Sequence, residues 1–533
     1  MYDIVIINGR VFDGTGSPWQ WADVGIKDGK VASIVPACPG EKSSLLQKAP
    51  VVIDAKGQVV TPGFIDMHTH SDLPLVINGT ADSKIMQGVT TEVIGQCGNS
   101  PAPITDEALP SIKSSAKGMP IEWNWRSYGE FLDVLAQNGT SVNVVGMVGH
   151  GTIRMVTMGF AERPPTAEEL EDMKRLARES VEQGAFGMST GLIYTPGSYS
   201  ETPEVVAISE VVREAGGLYF THLRAEGEKV LTAIDEALEI GKKAKIPVQI
   251  SHLKAFGLAR GNGEKIIAKL NKAREDGIDV TADQYPYIAS STGLSAFLPP
   301  WAHEGGREKI VERLKDRATR KRIYDDMQRA LPDWPNDFRL PWQDVQIASC
   351  AEQKFIGKRI QEIADSHGKD AYEMAFDILA EIDPATSVVI FGMDEDDVSH
   401  IMKSDLVVVG SDGSCLNPVG PLGKGQPHPR NYGTAARVLA HYVRDKKILT
   451  LPEAIRKMTA QSASRLGLKD RGQLREGFAA DIVVFDPAAV KDNATFEKPH
   501  QFASGVNYVI VNGEVVVKEG KHTMARPGKI LHR

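Results

Sequence analysis

The chain is short of cysteine, of long apolar runs and of basic clusters, and each shortage removes a class of protein. Four cysteines in 533 residues (Cys38, Cys97, Cys350 and Cys415) are too few for a disulfide framework and fit a reducing, cytoplasmic setting. No window reaches the roughly 18 consecutive apolar residues of a spanning helix, so no membrane segment is expected. Lys and Arg number 61 against 69 Asp and Glu, a formal net charge of −8. No Lys/Arg run is dense enough to follow a phosphate backbone, which speaks against nucleic acid as a partner. The opening MYDIVIINGRVFDGTG lacks the basic head, apolar core and small-residue cleavage site of a signal peptide, and alternates like a strand instead. What is present is ordinary globular usage: 42% hydrophobic and 24% charged residues, 50 Gly and 30 Pro. A chain this long exceeds one usual core, so a large domain with a smaller companion is expected.

Residues 2–60 read as short strands broken by turn pairs such as Asn8-Gly9 and Asp28-Gly29, and residues 479–518 read the same way, with Asn512-Gly513 as a further hairpin signal. The two ends are therefore expected to share a small β-sandwich, residues 1–60 and 466–533, flanking a (β/α)₈ barrel over 61–465. Strands are expected at 59–68, 90–97, 142–149, 185–190, 217–223, 246–253, 278–284, 387–393 and 406–412. That is one too many for a barrel. SVVIFGM at 387–393 ends in no metal-type residue, so it is the one placed outside. Between about 288 and 350 the pattern lapses into the polar helical stretch REKIVERLKDRATRKRIYDDMQRALPD. This reads either as an inserted subdomain near the barrel mouth or as a long surface excursion.

Six potential metal ligands close apolar runs of this pattern: His68 and His70 in PGFIDMHTH, Cys97 in VIGQC, His222 in LYFTH, His252 in VQISH and Asp412 in VVVGSD. All strands of such a barrel end on one face, where residues far apart in sequence can meet. Residues two apart on a strand share a side, so His68 and His70 can grip one ion. Chance gives about 0.3 such His pairs in a chain of this composition, so the pair alone is weak. Each residue also has a plainer reading: a polar loop histidine for His68 and His70, core histidines bonded to backbone for His222 and His252, an inert buried thiol for Cys97, and a turn aspartate for Asp412. Taken together, the set suits a soft divalent cation, zinc best, with Asp412 as general base toward activated water.

The segments NGRVFDGTG, PGFIDMHTHSD, GQCGNSPAP, GMSTGLIYTPGSYS, THLRAEG, ISHLKAFG, DQYPY, GSDGS, HPRNYGT and LREGFAADIVVFDP, in that order and across nearly the whole length, resemble the D-aminoacylases of the metal-dependent amidohydrolase superfamily. Many superfamily members bridge two metals with a carboxylated lysine, yet VTTEVIGQC and GAFGMSTGL contain no lysine, and Cys97 fills that position in the D-aminoacylase pattern. The resemblance implies one tight zinc on Cys97, His222 and His252, and a second, weaker site on His68, His70 and Asp412 with Cys97 shared. It also implies a small-molecule substrate, an N-acyl-D-amino acid whose carboxylate is held by Arg430, Tyr285 and Lys254, with Tyr194 lining the pocket. For these four, surface cation or half-buried aromatic is the bland alternative. The loop 413–427, GSCLNPVGPLGKGQP, is longer than in short-loop members and leaves the preferred side chain open. Rival functions are a cyclic-amide hydrolase of the hydantoinase or dihydroorotase kind, against which the missing lysine counts, and a catalytically silent scaffold.

Overall fold

In the computed structural model the described residues are 1–38, 41–46, 48–116, 118–329 and 340–533. The end of the expected polar helical stretch, Ala330 to Asp333, lies outside them.

Eight barrel positions are filled in chain order. Phe64–Asp66, Val89–Ile94 and Asn143–Gly146 form one parallel run. Val148–Gly149, Gly187–Gly191, Leu218–His222, Val248–Ile250, Val280–Gln284 and Val407–Val409 form another. The third position is shared by Asn143–Gly146 and Val148–Gly149, which meet their neighbours on opposite sides. Backbone bonds across the seam, Met67 N to Val409 O at 3.3 Å and Asp412 N to His68 O at 2.8 Å, join the eighth strand to the first and close the ring. The strand residues are buried on both faces, as a parallel sheet wrapped in helices requires. Those helices carry the usual start signals; Thr166 and Glu169, for example, form a reciprocal cap at the head of Ala167–Glu182.

Both ends of the chain enter one nine-stranded sheet. Its join is the antiparallel pair Ile482–Phe485 with Val59–Pro62, and Ile6, Val24, Ile53, Val60, Ile482 and Ile510 pack together as its core. The expected strand 59–68 is therefore two strands. Val59–Pro62 belongs to the terminal sheet, the barrel begins at Phe64, and Gly63 is the hinge: a Cβ there would stand 2.0 Å from Thr90 Oγ1, a close approach that only glycine permits.

Ser387–Ile390 lies outside the barrel, paired antiparallel with Ser290–Gly293 and with Val345–Ser349. A separate apolar core, including Phe297, Trp342, Ile347, Phe376 and Ile390, runs from Tyr285 to Met393 and takes in Phe256, so the inserted unit is packed and extends past residue 350. Its edge is set by strand pairing across some forty residues, which the local polarity of the segment does not reveal. The loop 413–427 reaches it, since Gln426 N donates to Ala348 O at 2.7 Å. Among the described residues no helix is long and apolar enough to cross a membrane.

Candidate metal centre

The strands stop short of the residues they deliver. Val248–Ile250 ends two residues before His252, and Val407–Val409 three before Asp412. Cys97, His252 and Asp412 all have left-handed backbone, with φ of 54°, 37° and 52°. Such conformations are costly for residues with a Cβ, they end the strand hydrogen bonding, and they swing the side chain inward. His222, the last residue of its strand, is the exception.

The inward turns produce a cluster. Cys97 Sγ lies 3.4 Å from His68 Nε2 and 3.3 Å from His252 Nε2, and His68 Nε2 lies 3.6 Å from Asp412 Oδ1. One donor atom from each of His68, Cys97, His252 and Asp412 falls within 4.8 Å of the others, and all four residues are buried. His222 joins through His252, their ring centroids 4.3 Å apart. His70 stands at the rim, its Nε2 3.0 Å from Asp412 Oδ1.

Residues that sequence reasoning passed over hold the set in place. Glu226, four positions after His222 in THLRAEG, puts Oε1 3.5 Å from His222 Nε2 and 3.1 Å from His252 Nδ1, and accepts from Lys254 Nζ. The only cue was the i, i+4 spacing, useful solely once the loop is known to turn back. Asp283 accepts from His252 N at 2.7 Å and sits 3.3 Å from His68 Nδ1, placing a carboxylate behind a candidate imidazole ligand.

The cluster fits a soft cation. Both ring nitrogens of His222 are buried without a hydrogen-bond partner, which is costly unless something else meets a lone pair. Burial drives the His222, His252 and His70 imidazoles below their ordinary range, so they are neutral donors. Burial, aided by the negative charge of Asp412, pushes the Cys97 thiol well up, a preference that an adjacent dication reverses. Asp412 behaves differently: burial raises it, but the Arg430 charge and a hydrogen bond from His70 outweigh that and hold it ionised, well below the usual carboxylate range.

The four expected substrate-binding residues also border the cluster. Arg430 Nη1 lies 2.8 Å from Asp412 Oδ2, and Nη2 donates to Ser291 O of the inserted unit at 3.3 Å. Lys254, placed in the carboxylate pocket by the resemblance, is tied to Glu226 and lies 2.8 Å from His252 Nδ1. Yet both cations face one ring, with Arg430 5.0 Å and Lys254 5.6 Å from the centroid of Tyr285. The Tyr285 hydroxyl is buried without a partner. Tyr194 packs against His222 at 4.9 Å, its hydroxyl 3.1 Å from Thr292 Oγ1.

Comparison with known proteins matches residues 51–517 to the amidohydrolase family. The chain is 35% identical over 532 residues to the D-aminoacylase of Alcaligenes xylosoxydans xylosoxydans, covering 100% of this chain and 98% of that one. Among solved structures, a D-aminoacylase examined for the role of its binuclear metal centre, with one-metal activation and second-metal attenuation, is 33% identical with a TM-score of 0.83. The N-acyl-D-glutamate deacylase of Bordetella bronchiseptica, complexed with zinc and a phosphonate mimic of the tetrahedral intermediate, is 31% identical with a TM-score of 0.81. Both structures are covered fully and cover this chain fully.

Proposed function

The chain belongs to the amidohydrolase family, and on that premise we propose that it hydrolyses N-acyl-D-amino acids, with zinc, to a carboxylic acid and a free D-amino acid. The observation that carries this reading is the approach of Cys97 Sγ to His68 and His252 at the strand ends. Full-length likeness to a D-aminoacylase and to a zinc-bound N-acyl-D-glutamate deacylase supports it.

Cys97, His222 and His252 would hold the tighter zinc, and His68, His70 and Asp412, together with Cys97, would hold a second and weaker one. Bound there, zinc would supply Lewis acidity, lowering the pKa of a water toward about 7 and polarising an amide carbonyl. Asp412, ionised and within reach of both His68 and His70, takes the proton of the attacking water and returns it to the departing nitrogen. Arg430 reads the substrate carboxylate as a planar fork. Tyr285 donates its hydroxyl to the same carboxylate, since burial keeps the phenol protonated. Lys254 supports that corner electrostatically while Glu226 keeps it and His252 in line, and Tyr194 closes the pocket side. The scissile amide is thereby fixed between Asp412 and the metal ligands, a gain of position without a covalent intermediate.

The test is direct. Zinc-loaded enzyme is given matched N-acetyl-D- and N-acetyl-L-amino acids across acidic, aliphatic, aromatic and sulfur-containing side chains, and acetate is measured. Turnover confined to D-substrates is expected; equal turnover of both enantiomers, or of hydantoins alone, contradicts the reading.

A further inference from the structure

A cavity of about 460 Å³ adjoins the cluster at His70. Its walls come mostly from the loops and helix starts after the first four barrel strands, with Ser414 from beyond the eighth, and Leu73, Met119, Trp123, Met155 and Phe160 make it predominantly apolar. Several polar groups on its lining are already engaged. Thr152 Oγ1 donates to Ser100 O at 3.1 Å, Ser414 Oγ donates to His70 O at 2.9 Å, and Asp72 Oδ1 accepts from Gly95 N at 2.7 Å. What the wall offers a visitor is therefore mainly hydrocarbon.

Its place relative to the reacting centre is specific. His70 lines the cavity and lies 3.0 Å from Asp412 Oδ1. The other oxygen of Asp412 lies 2.8 Å from Arg430, and Tyr285 and Arg430 follow the seventh and eighth strands, across the barrel mouth from most of the cavity wall. A molecule whose carboxylate is at Arg430 and whose amide is beside Asp412 runs next toward His70. The part that lies beyond the amide in that direction is the acyl group. The cavity is not sealed, since Met119 at its edge is 44% exposed, so a chain longer than the cavity can run on into solvent.

We infer that this cavity is an acyl subsite that takes an unbranched aliphatic acyl group of medium length, making N-acyl-D-amino acids with fatty acyl chains better substrates than the N-acetyl forms. The inference rests on the deacylase reading above and refines it. The volume far exceeds an acetyl methyl, and a charged acyl group such as succinyl finds no free counter-charge on the wall.

The experiment measures kcat/KM for N-acetyl, N-butanoyl, N-hexanoyl, N-octanoyl and N-succinyl derivatives of the D-amino acid that the enzyme accepts best as its N-acetyl form. Burying a methylene predicts a rise of about threefold to fourfold for each one added, at least to hexanoyl, and succinyl is expected to fall below butanoyl. Met155→Trp, which fills the cavity, is expected to abolish the rise while leaving the N-acetyl rate unchanged. Phe160→Ala, which widens it, is expected to move the optimum to longer chains, and decides the matter if the tryptophan variant does not fold. A flat or falling series in the native enzyme, or equal effects of the variants on acetyl and hexanoyl substrates, overturns the acyl subsite alone. No hydrolysis of any N-acyl-D-amino acid, the acetyl forms included, overturns the deacylase reading and the subsite with it.

Discussion

At the scale of single residues, Asp412 carries the heaviest assignment, because it touches His68, His70 and Arg430 together. Asp412→Asn keeps the shape and removes the proton acceptor, so kcat is expected to fall by about a hundredfold to ten-thousandfold, while the tighter zinc remains measurable by metal analysis. Glu92 makes a separate prediction. It is fully buried and accepts from Ser71 Oγ, and burial raises its carboxyl from 4.5 to about 7, against the pull of Lys84. Its folded-state affinity for a proton thus exceeds the unfolded one. The folded state binds more protons between roughly pH 4.5 and 7, so this residue's contribution to stability is fully present below that window and is lost as pH rises through it. Glu92→Gln is uncharged throughout. Relative to the native chain it is expected to gain stability from pH 5 to pH 8, by on the order of 3 kcal/mol in denaturant melts. A difference that does not change with pH rules this out. Which residues the fold brings together was legible where chemistry and position coincide: His68, Cys97, His222, His252 and Asp412 each follow an apolar run. Glu226 and Asp283 were not, since a carboxylate in a polar loop or inside a strand has no local mark, and only the closed barrel brings them to the histidines.

At the scale of elements, the left-handed turns at Cys97, His252 and Asp412 explain why the expected strands overran the observed ones. An apolar run records burial, and burial continues past the point where the ladder hydrogen bonds cease. The run at 59–68 concealed a hinge for the same reason, because burial continues through it: Val59 and Phe64 share one core, Val60 lies in that of the terminal sheet, and Ile65 and Met67 lie in another. The inserted unit illustrates the reverse. Its polar helices say little, yet its strand Ser290–Gly293 brings Ser291 O to Arg430 and Thr292 to Tyr194. That strand is held by Ser387–Ile390, where Ile390 is wholly buried and faces both Ser290 and Val345. Ile390→Ala is expected to cost about 2–5 kcal/mol. It is also expected to raise KM severalfold, with zinc stoichiometry unchanged, because it loosens the support of Arg430 and Tyr194 and leaves the metal ligands alone. Loss of zinc in that variant, with KM unaltered, contradicts this division of labour.

At the scale of the whole molecule, the closed barrel and the inserted unit meet around one buried polar cluster, while the terminal sheet joins the chain just before the first barrel strand. The barrel and the joining of the two ends were legible because periodicity and turn chemistry repeat many times along the chain. The extent of the insertion depended on pairing between residues about forty apart and was not. Since the cluster gathers candidate ligands from strands one, two, five, six and eight, a bound ion would tie together segments that are hundreds of residues apart. Removing it with a chelator is expected to lower the unfolding temperature as well as abolish activity, and returning zinc is expected to restore both. The most direct check of the centre itself is X-ray absorption at the zinc edge of the loaded protein. A sulfur scatterer at about 2.3 Å together with nitrogen or oxygen neighbours at about 2.0–2.1 Å, the sulfur vanishing in Cys97→Ala, is the predicted result; a first shell of nitrogen and oxygen alone in the native protein contradicts it.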